Sequence, residues 1–261
     1  MKVTKCGSGN IYSFPMSDIE YIGYFHGKED RETVKAALPR IAKIRGREPD
    51  FLFNAELFDS KTRKPASDVV SNGVVHRLTE NFGMAFPGNK SAVFCYKNNV
   101  GAADYLGAYP VLIRNGMNDG TIPSGLGGNR GRTAIGVGNN KFFIALIPDS
   151  AGISLQKLRT SFKSAGATDA INLDGGGSTQ YFVVGASYLS GRPVRGFVGV
   201  WLNQDLRRVN VRTSLNIRSG PSVFHKKVGK LYNGDIVRVF ETRLGFCRTS
   251  VGWVSSLYLK G

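Results

Sequence analysis

The hydrophobic and polar positions divide the chain into a long first part, where apolar runs alternate with two amphipathic stretches, and a last fifth built of short alternating segments. Two stretches carry helical spacing. From Glu32 to Arg45, Val34, Ala37, Leu38, Ile41 and Ile44 recur at helical intervals, with Pro39 set to kink the helix and Gly46 to end it. After Ser154, a capping residue, Leu155, Leu158, Phe162 and Ala165 line one face until Gly166 terminates it.

The remaining apolar runs read as strands. The opening segment through His26 predicts one or two, and 50–58 predicts a short strand that passes through Asn54 and Glu56. Residues 73–76, 91–94 and 108–116 follow, the last ending near Arg114. Segments 132–137 and 142–147, joined by Gly138-Asn139-Asn140-Lys141, predict a hairpin with Arg132 at its open end. Between 117 and 131 lie Gly120, Gly125, Gly127, Gly128 and Gly131, the composition of a mobile loop or lid. Strands at 170–173, 181–184 and 196–202 complete the first part, and 203–208 reads as a linker. Beyond it, short strands at 209–212, 215–218, 227–231, 235–240, 245–248 and 252–254 predict a small β-barrel.

Charge then separates the two parts. The chain carries +16 over 261 residues, and the segment from Arg207 onward holds eleven Lys or Arg against Asp235 and Glu241. More than half of the excess sits in the last fifth, a field that attracts a polyanion such as nucleic acid, anionic lipid or a cell-wall polymer. No apolar run reaches the ~20 residues of a membrane span, and the first residues lack a signal-peptide core. A protein made in the cytoplasm without a signal peptide is therefore expected. Cys6, Cys95 and Cys247 are odd in number and widely spaced, which predicts reduced, packed thiols.

Candidate chemistry concentrates in Asn172-Leu173-Asp174-Gly175-Gly176-Gly177-Ser178-Thr179, a carboxylate delivered from an apolar strand into three glycines and two hydroxyls. Bare backbone N–H groups there can surround a ligand oxygen while Asp174 faces it. No Lys follows the glycines, so the run is not a P-loop. Asn54 and Glu56 sit two apart, either sharing a ligand on one face or meeting solvent at a strand end. His76 and, more weakly, His26 and His225 read as structural.

The last fifty residues resemble bacterial SH3-like domains: 215–222 (LNIRSGPS) matches the opening signature, 231–237 the central turn, and 252–259 (GWVSSLYL) the closing one. The resemblance implies docking on a cell-wall glycopolymer, peptidoglycan or teichoic acid, through residues 209–261 rather than on nucleic acid. Residues 50–200 resemble the phosphodiester glycosidase family, which includes the lysosomal enzyme that removes N-acetylglucosamine from its phosphodiester-linked mannose. Asn54 to Phe58, Tyr109 to Gly116, Arg132-Thr133-Ala134-Ile135-Gly136 and Asn172 to Thr179 carry that likeness in order. Glu56 departs from it, standing where many members have glycine. The implied class is α+β, a mixed-sheet glycosidase-like domain over 1–205 followed by an SH3-like β-barrel over 209–261.

A sugar 1-phosphodiester has a good leaving group, so a site must support the departing phosphate with cations and the oxocarbenium-like sugar with an anion. Arg132, with Arg114, suits the first task; Asp174 suits the second, as nucleophile or as the base that orients water. Thr133, Asn172, Gly175, Gly176, Gly177, Ser178 and Thr179 are expected to hold phosphate or sugar, and Asn54 to read a sugar hydroxyl. A divalent cation bound by Asp174 and Glu56 is an alternative. The expected function is hydrolysis of a wall glycopolymer by a phage or prophage lysin acting at the cell wall. The alternatives are a peptidoglycan glycosidase, lysozyme-like endolysin or autolysin, using Glu56 and Asp174 as an acid pair, and a wall-binding protein without catalysis.

Overall fold

A computed structural model of the chain describes all residues except 29, 30, 60, 63, 80, 121, 123, 127 and 185. The chain divides into two compact units, residues 2–202 and 203–261. The first is built on three sheets. A seven-stranded sheet runs in the order Lys2–Cys6, Gly9–Pro15, Lys141–Ile147, Arg132–Gly138, Asp169–Asn172, Val111–Arg114, Met117–Asn118. A five-stranded sheet runs Ala186–Tyr188, Tyr181–Val183, Phe51–Asn54, Gly196–Leu202, Ile19–His26. Where these two meet, Phe14 of the first stacks on Phe51 of the second at 5.8 Å between ring centroids.

Each of these sheets carries one helix. Helix Leu155–Ala165 presents Leu155, Leu158 and Phe162 to Ile11, Ile113, Ala134 and Phe143 of the seven-stranded sheet. Helix Val34–Ala42 lays Val34, Ala37 and Ile41 against Leu52, Phe197 and Trp201. Ser154 Oγ accepts from the Lys157 N–H at 3.2 Å, and Gly166 takes the left-handed conformation at φ +99°, as the capping pattern requires. The hairpin also forms as its sequence predicts: Arg132 pairs with Ile147 and Gly138 with Lys141, and Asn139 and Asn140 turn at positive φ.

Several expectations are corrected. The opening segment makes three strands, Lys2–Cys6, Gly9–Pro15 and Ile19–His26. Residues 69–107 form a further five-stranded sheet, in the order Val74–Arg77, Val69–Ser71, Tyr105–Gly107, Phe82–Ala85, Val93–Tyr96. Every strand pairing among the described residues is antiparallel, so the sheets are not mixed. Both helices lie in strand–helix–strand crossovers, from Ile19–His26 to Phe51–Asn54 and from Lys141–Ile147 to Asp169–Asn172, but in each a third strand, Gly196–Leu202 or Arg132–Gly138, inserts antiparallel between the two.

The second unit is one seven-stranded sheet, Lys227–Tyr232, Ser214–Arg218, Gly252–Ser255, Phe246–Thr249, Ile236–Arg243, Asp205–Val209, Leu259–Lys260. Its core gathers Val209, Leu215, Ile217, Val237, Val239, Cys247, Val254 and Leu259. The two outer strands do not pair with each other among the described residues, so the expected closed barrel is an open sheet. The expected linker is also partly strand: Asp205–Val209 pairs with Ile236–Val239 and, through Arg208 and Val209, with the C-terminal strand. All three cysteines are free thiols and buried. Among the described residues, no helix is long and apolar enough to cross a membrane.

Candidate active site

Asp174 lies just beyond the strand Asp169–Asn172, at the place where the two large sheets are tied together. The tie is Asn54, the last residue of its strand and wholly buried. Its Nδ2 donates to the Asp174 carbonyl at 2.7 Å, while its Oδ1 accepts from Thr133 Oγ1 at 2.8 Å and from the Gln180 N–H at 3.1 Å. One carboxamide thus joins three segments. The Asp174 N–H donates to the Ala55 carbonyl at 3.1 Å, and the Leu173 N–H to that of Thr133 at 2.9 Å. Asn54 therefore acts as a clamp on the backbone that carries the acid.

The glycine turn has a different division of labour from the expected cradle. The Gly175 N–H donates to Asp174 Oδ1 at 2.9 Å, and the Gly176 N–H to the Gly131 carbonyl at 2.8 Å. Ser178 and Thr179 N–H groups return to the carbonyls of Gly175 and Gly176. Only the Gly177 N–H, which is exposed, has no intramolecular partner among the described residues. Gly175 is needed because a Cβ there would meet the Gly131 carbonyl at 2.6 Å, and Gly176 because it turns at φ +59°.

The Asp174 side chain is almost wholly buried, and burial pushes its carboxyl up to about 6, against the opposing pull of Ser178, the Gly175 N–H and Arg192. That leaves a buried acid that titrates near neutrality beside the glycine turn. Asn172 Nδ2 donates to the carbonyls of Tyr109 and Leu173, both at 2.7 Å, which fixes the strand end before the acid. Asn172 Oδ1 and Thr179 Oγ1 are buried without a partner among the described residues.

Glu56 is also buried, and neither it nor Asn54 meets solvent. The strand stops at Asn54, so the two do not share a strand face. Arg195 Nε donates to Glu56 Oε1 at 2.8 Å, and Tyr24 OH donates to Oε2. His26 Nδ1 stands 3.9 Å from the same oxygen, and its ring stacks on His76 at 4.8 Å. Tyr24 and Arg195 carry no signal in the sequence and His26 reads there only as structural, since the three come from segments far from Glu56 along the chain. Burial, together with the Glu56 charge, drives the Tyr24 phenol well above its ordinary range.

The predicted arginines are both committed elsewhere. Arg132 is buried, and its guanidinium holds the carbonyls of Ile153 at 3.0 Å, Leu126 at 2.8 Å and Gly128 at 2.5 Å. Burial lowers it to about 10. It pins the described part of the glycine-rich loop; Gly127 lies outside the described residues. Arg159 adds a second pin, to the Asp119 carbonyl at 2.8 Å. Arg114 sits at the opposite end of the sheet from the acid: Ile113 pairs with Ala170, and the Asn115 N–H donates to Asp169. Five residue steps, the first three along the strand, separate Asp169 from Asp174, roughly 15 Å. Arg114 instead pairs with Asp119 at 2.7 Å and lies over the Phe82 ring.

The donor set does not suit a divalent cation. Both Glu56 oxygens are taken by Arg195 and Tyr24, and among the described residues no three His, Cys, Asp or Glu side chains gather to hold a metal ion.

Two antiparallel sheets clamped around a buried acid in a glycine turn define a class, and comparison with known proteins places the chain within it. The phosphodiester glycosidase family model matches residues 50–201, more than half of the chain, and the chain belongs to that family. The bacterial SH3 domain model matches residues 213–260. Among solved structures, the catalytic domain of zebrafish N-acetylglucosamine-1-phosphodiester alpha-N-acetylglucosaminidase, auto-inhibited by its pro-peptide, is similar at 16% identity and a TM-score of 0.58, covering 76% of this chain and 84% of that one. A hypothetical protein from Synechocystis is similar at 14% identity and a TM-score of 0.59, covering 77% and 61%. A Burkholderia pseudomallei protein reaches 12% and 0.51, covering 74% and 73%. At these identities the likeness is one of fold. No curated protein matches the chain.

Proposed function

We propose that residues 2–202 hydrolyse a sugar 1-phosphodiester in a bacterial cell-wall glycopolymer, and that the basic second unit holds that polymer near the site. The observation that carries the reading is Asp174, a buried carboxyl pushed up to about 6 and fixed by the family's own segments. Ionised, it supports the positive charge that develops on the sugar, either by attacking C1 or by taking a proton from the attacking water. The departing phosphate monoester is a weak base and needs no strong acid to leave.

Glu56 favours this reading over cleavage of an ordinary glycosidic bond. An alcohol leaving group requires a proton donor, and both Glu56 oxygens are already engaged by Arg195 and Tyr24. Its role is to fix Arg195 and to add negative potential near Asp174, raising that carboxyl further. In the second unit a groove lined by Leu215, Arg218, Phe246, Leu257 and Tyr258 combines apolar and cationic surface suited to a wall polymer. A hydrolase joined to a bacterial SH3 domain has the build of a wall lysin, of phage or bacterial origin.

The test is product analysis. The purified chain is expected to free sugar and phosphate monoester from a sugar 1-phosphodiester polymer. Release of reducing ends from peptidoglycan instead would replace this reading with the glycosidase one. Wall sedimentation without either product would leave only binding.

A further inference from the structure

Two arginines flank the glycine turn, Arg192 with its guanidinium and Arg130 with the end of its side-chain stem. A Cβ placed on Gly177 would lie 3.4 Å from Arg192 Nη1, and one on Gly176 would lie 4.0 Å from Arg130 Cδ. Both arginines are exposed, and among the described residues no carboxylate lies at ion-pair distance from either, although the Arg192 charge reaches Asp174. Their backbones, by contrast, are fixed. The Arg130 N–H donates to the Ile153 carbonyl at 3.3 Å, and the Arg130 carbonyl accepts from the Ile153 N–H at 3.0 Å. The Arg192 carbonyl accepts from Gln180 Nε2 at 2.7 Å, and its N–H donates to Ser190 Oγ at 3.1 Å. Ser190 Oγ in turn donates to the Gly177 carbonyl at 3.1 Å, so the Arg192 loop is tied to the turn itself.

Two anchored arginines with uncommitted heads therefore stand beside the one N–H of the turn that has no internal partner. The geometry points to Arg130, Arg192 and the Gly177 N–H as an anion subsite that receives the phosphate of a sugar 1-phosphodiester, an inference that rests on the proposed hydrolysis. Charge and position both fit. A phosphodiester carries one negative charge, and a second develops as the C1–O bond breaks and its electron pair leaves with the phosphate oxygen. Water supplies the new C1–O bond, and its proton passes to Asp174 or to solvent. Cations at the leaving oxygen are engaged more strongly in the transition state than in the bound substrate, so they act on turnover as well as on binding. Planar guanidinium forks match phosphate oxygens pairwise. Arg132 and Arg114 cannot serve here without surrendering the carbonyls and the carboxylate they already hold.

The full chain and its Arg130→Gln, Arg192→Gln and double variants provide the test, with two readouts. Inorganic phosphate titrated into isotopically labelled protein is expected to shift the Gly177 amide signal saturably in the wild type and not in the double variant. Residue resolution is essential because the basic second unit also attracts phosphate. With an N-acetylglucosamine 1-phosphodiester, kcat/KM is expected to fall about 100-fold in the double variant, while a neutral aryl N-acetylglucosaminide stays within about fivefold. A Gly177 signal that ignores phosphate, or moves equally in the double variant, overturns the subsite, as does an equal loss on both substrates. If the wild type turns over neither substrate the hydrolysis reading fails, and the amide titration still decides the anion subsite.

Discussion

The side-chain amide of Asn54 donates a 2.7 Å hydrogen bond to the backbone carbonyl of Asp174, so the residue that ends one sheet positions the acid that leaves the other. Replacing Asn54 with Ala strands the Asp174 carbonyl, the Thr133 hydroxyl and the Gln180 N–H in a buried place. A loss of about 3 kcal/mol in folding free energy is expected, read by urea denaturation, together with a fall in kcat that exceeds any rise in KM.

Asp174→Asn is expected to abolish turnover yet stabilise the fold at neutral and alkaline pH. The folded carboxyl titrates at about 6 against an ordinary value of 3.8. The folded state thus holds its proton more tightly. Stability is full below the unfolded value and falls as pH rises toward and through 6, reaching a deficit of about 1–3 kcal/mol above it. Asn carries no such charge, so the variant's advantage appears on raising the pH and vanishes in acid; denaturation midpoints at pH 4 and pH 8 check it.

The same titration sets the pH profile. With Asp174 working as the anion, kcat/KM rises with pH through a limb near 6 and then levels. A phosphodiester stays ionised across this range, so the limb belongs to the protein. A profile that falls with rising pH through 6 would assign Asp174 the role of acid instead.

Glu56→Gln breaks the buried 2.8 Å ion pair between Arg195 and Glu56, a change expected to cost about 3 kcal/mol. Pairing it with Arg195→Met removes the cation together with its Glu56 partner and is expected to recover most of the loss. Chemical denaturation of the two single variants and the double measures the coupling.

Much of the scaffold was legible in sequence because it rests on local rules. The Asn139–Asn140 turn needs residues that tolerate positive φ, and the Ser154 and Gly166 caps lie beside the helix they bound. The Asp174 turn was legible for the same reason: an acid and three glycines are contiguous. Asp205–Val209 was not, because its side chains are mostly exposed and a short polar segment held by backbone pairing on both sides resembles a linker. The surroundings of Glu56 were hidden as well, since Tyr24 lies 32 residues before it and Arg195 139 residues after it. Arg132 misled because its residue type suits phosphate, whereas its direction is set by carbonyls that only the folded loop supplies.

The most direct measurement of the central claim is hydrolysis of a sugar 1-phosphodiester in water enriched in oxygen-18, with mass analysis of the phosphate monoester formed. Attack at sugar C1 with Asp174 as the supporting anion breaks the C1–O bond, so the released phosphate carries no label and Asp174→Asn forms no product. Label in the phosphate would show that the P–O bond breaks instead, and would contradict the account.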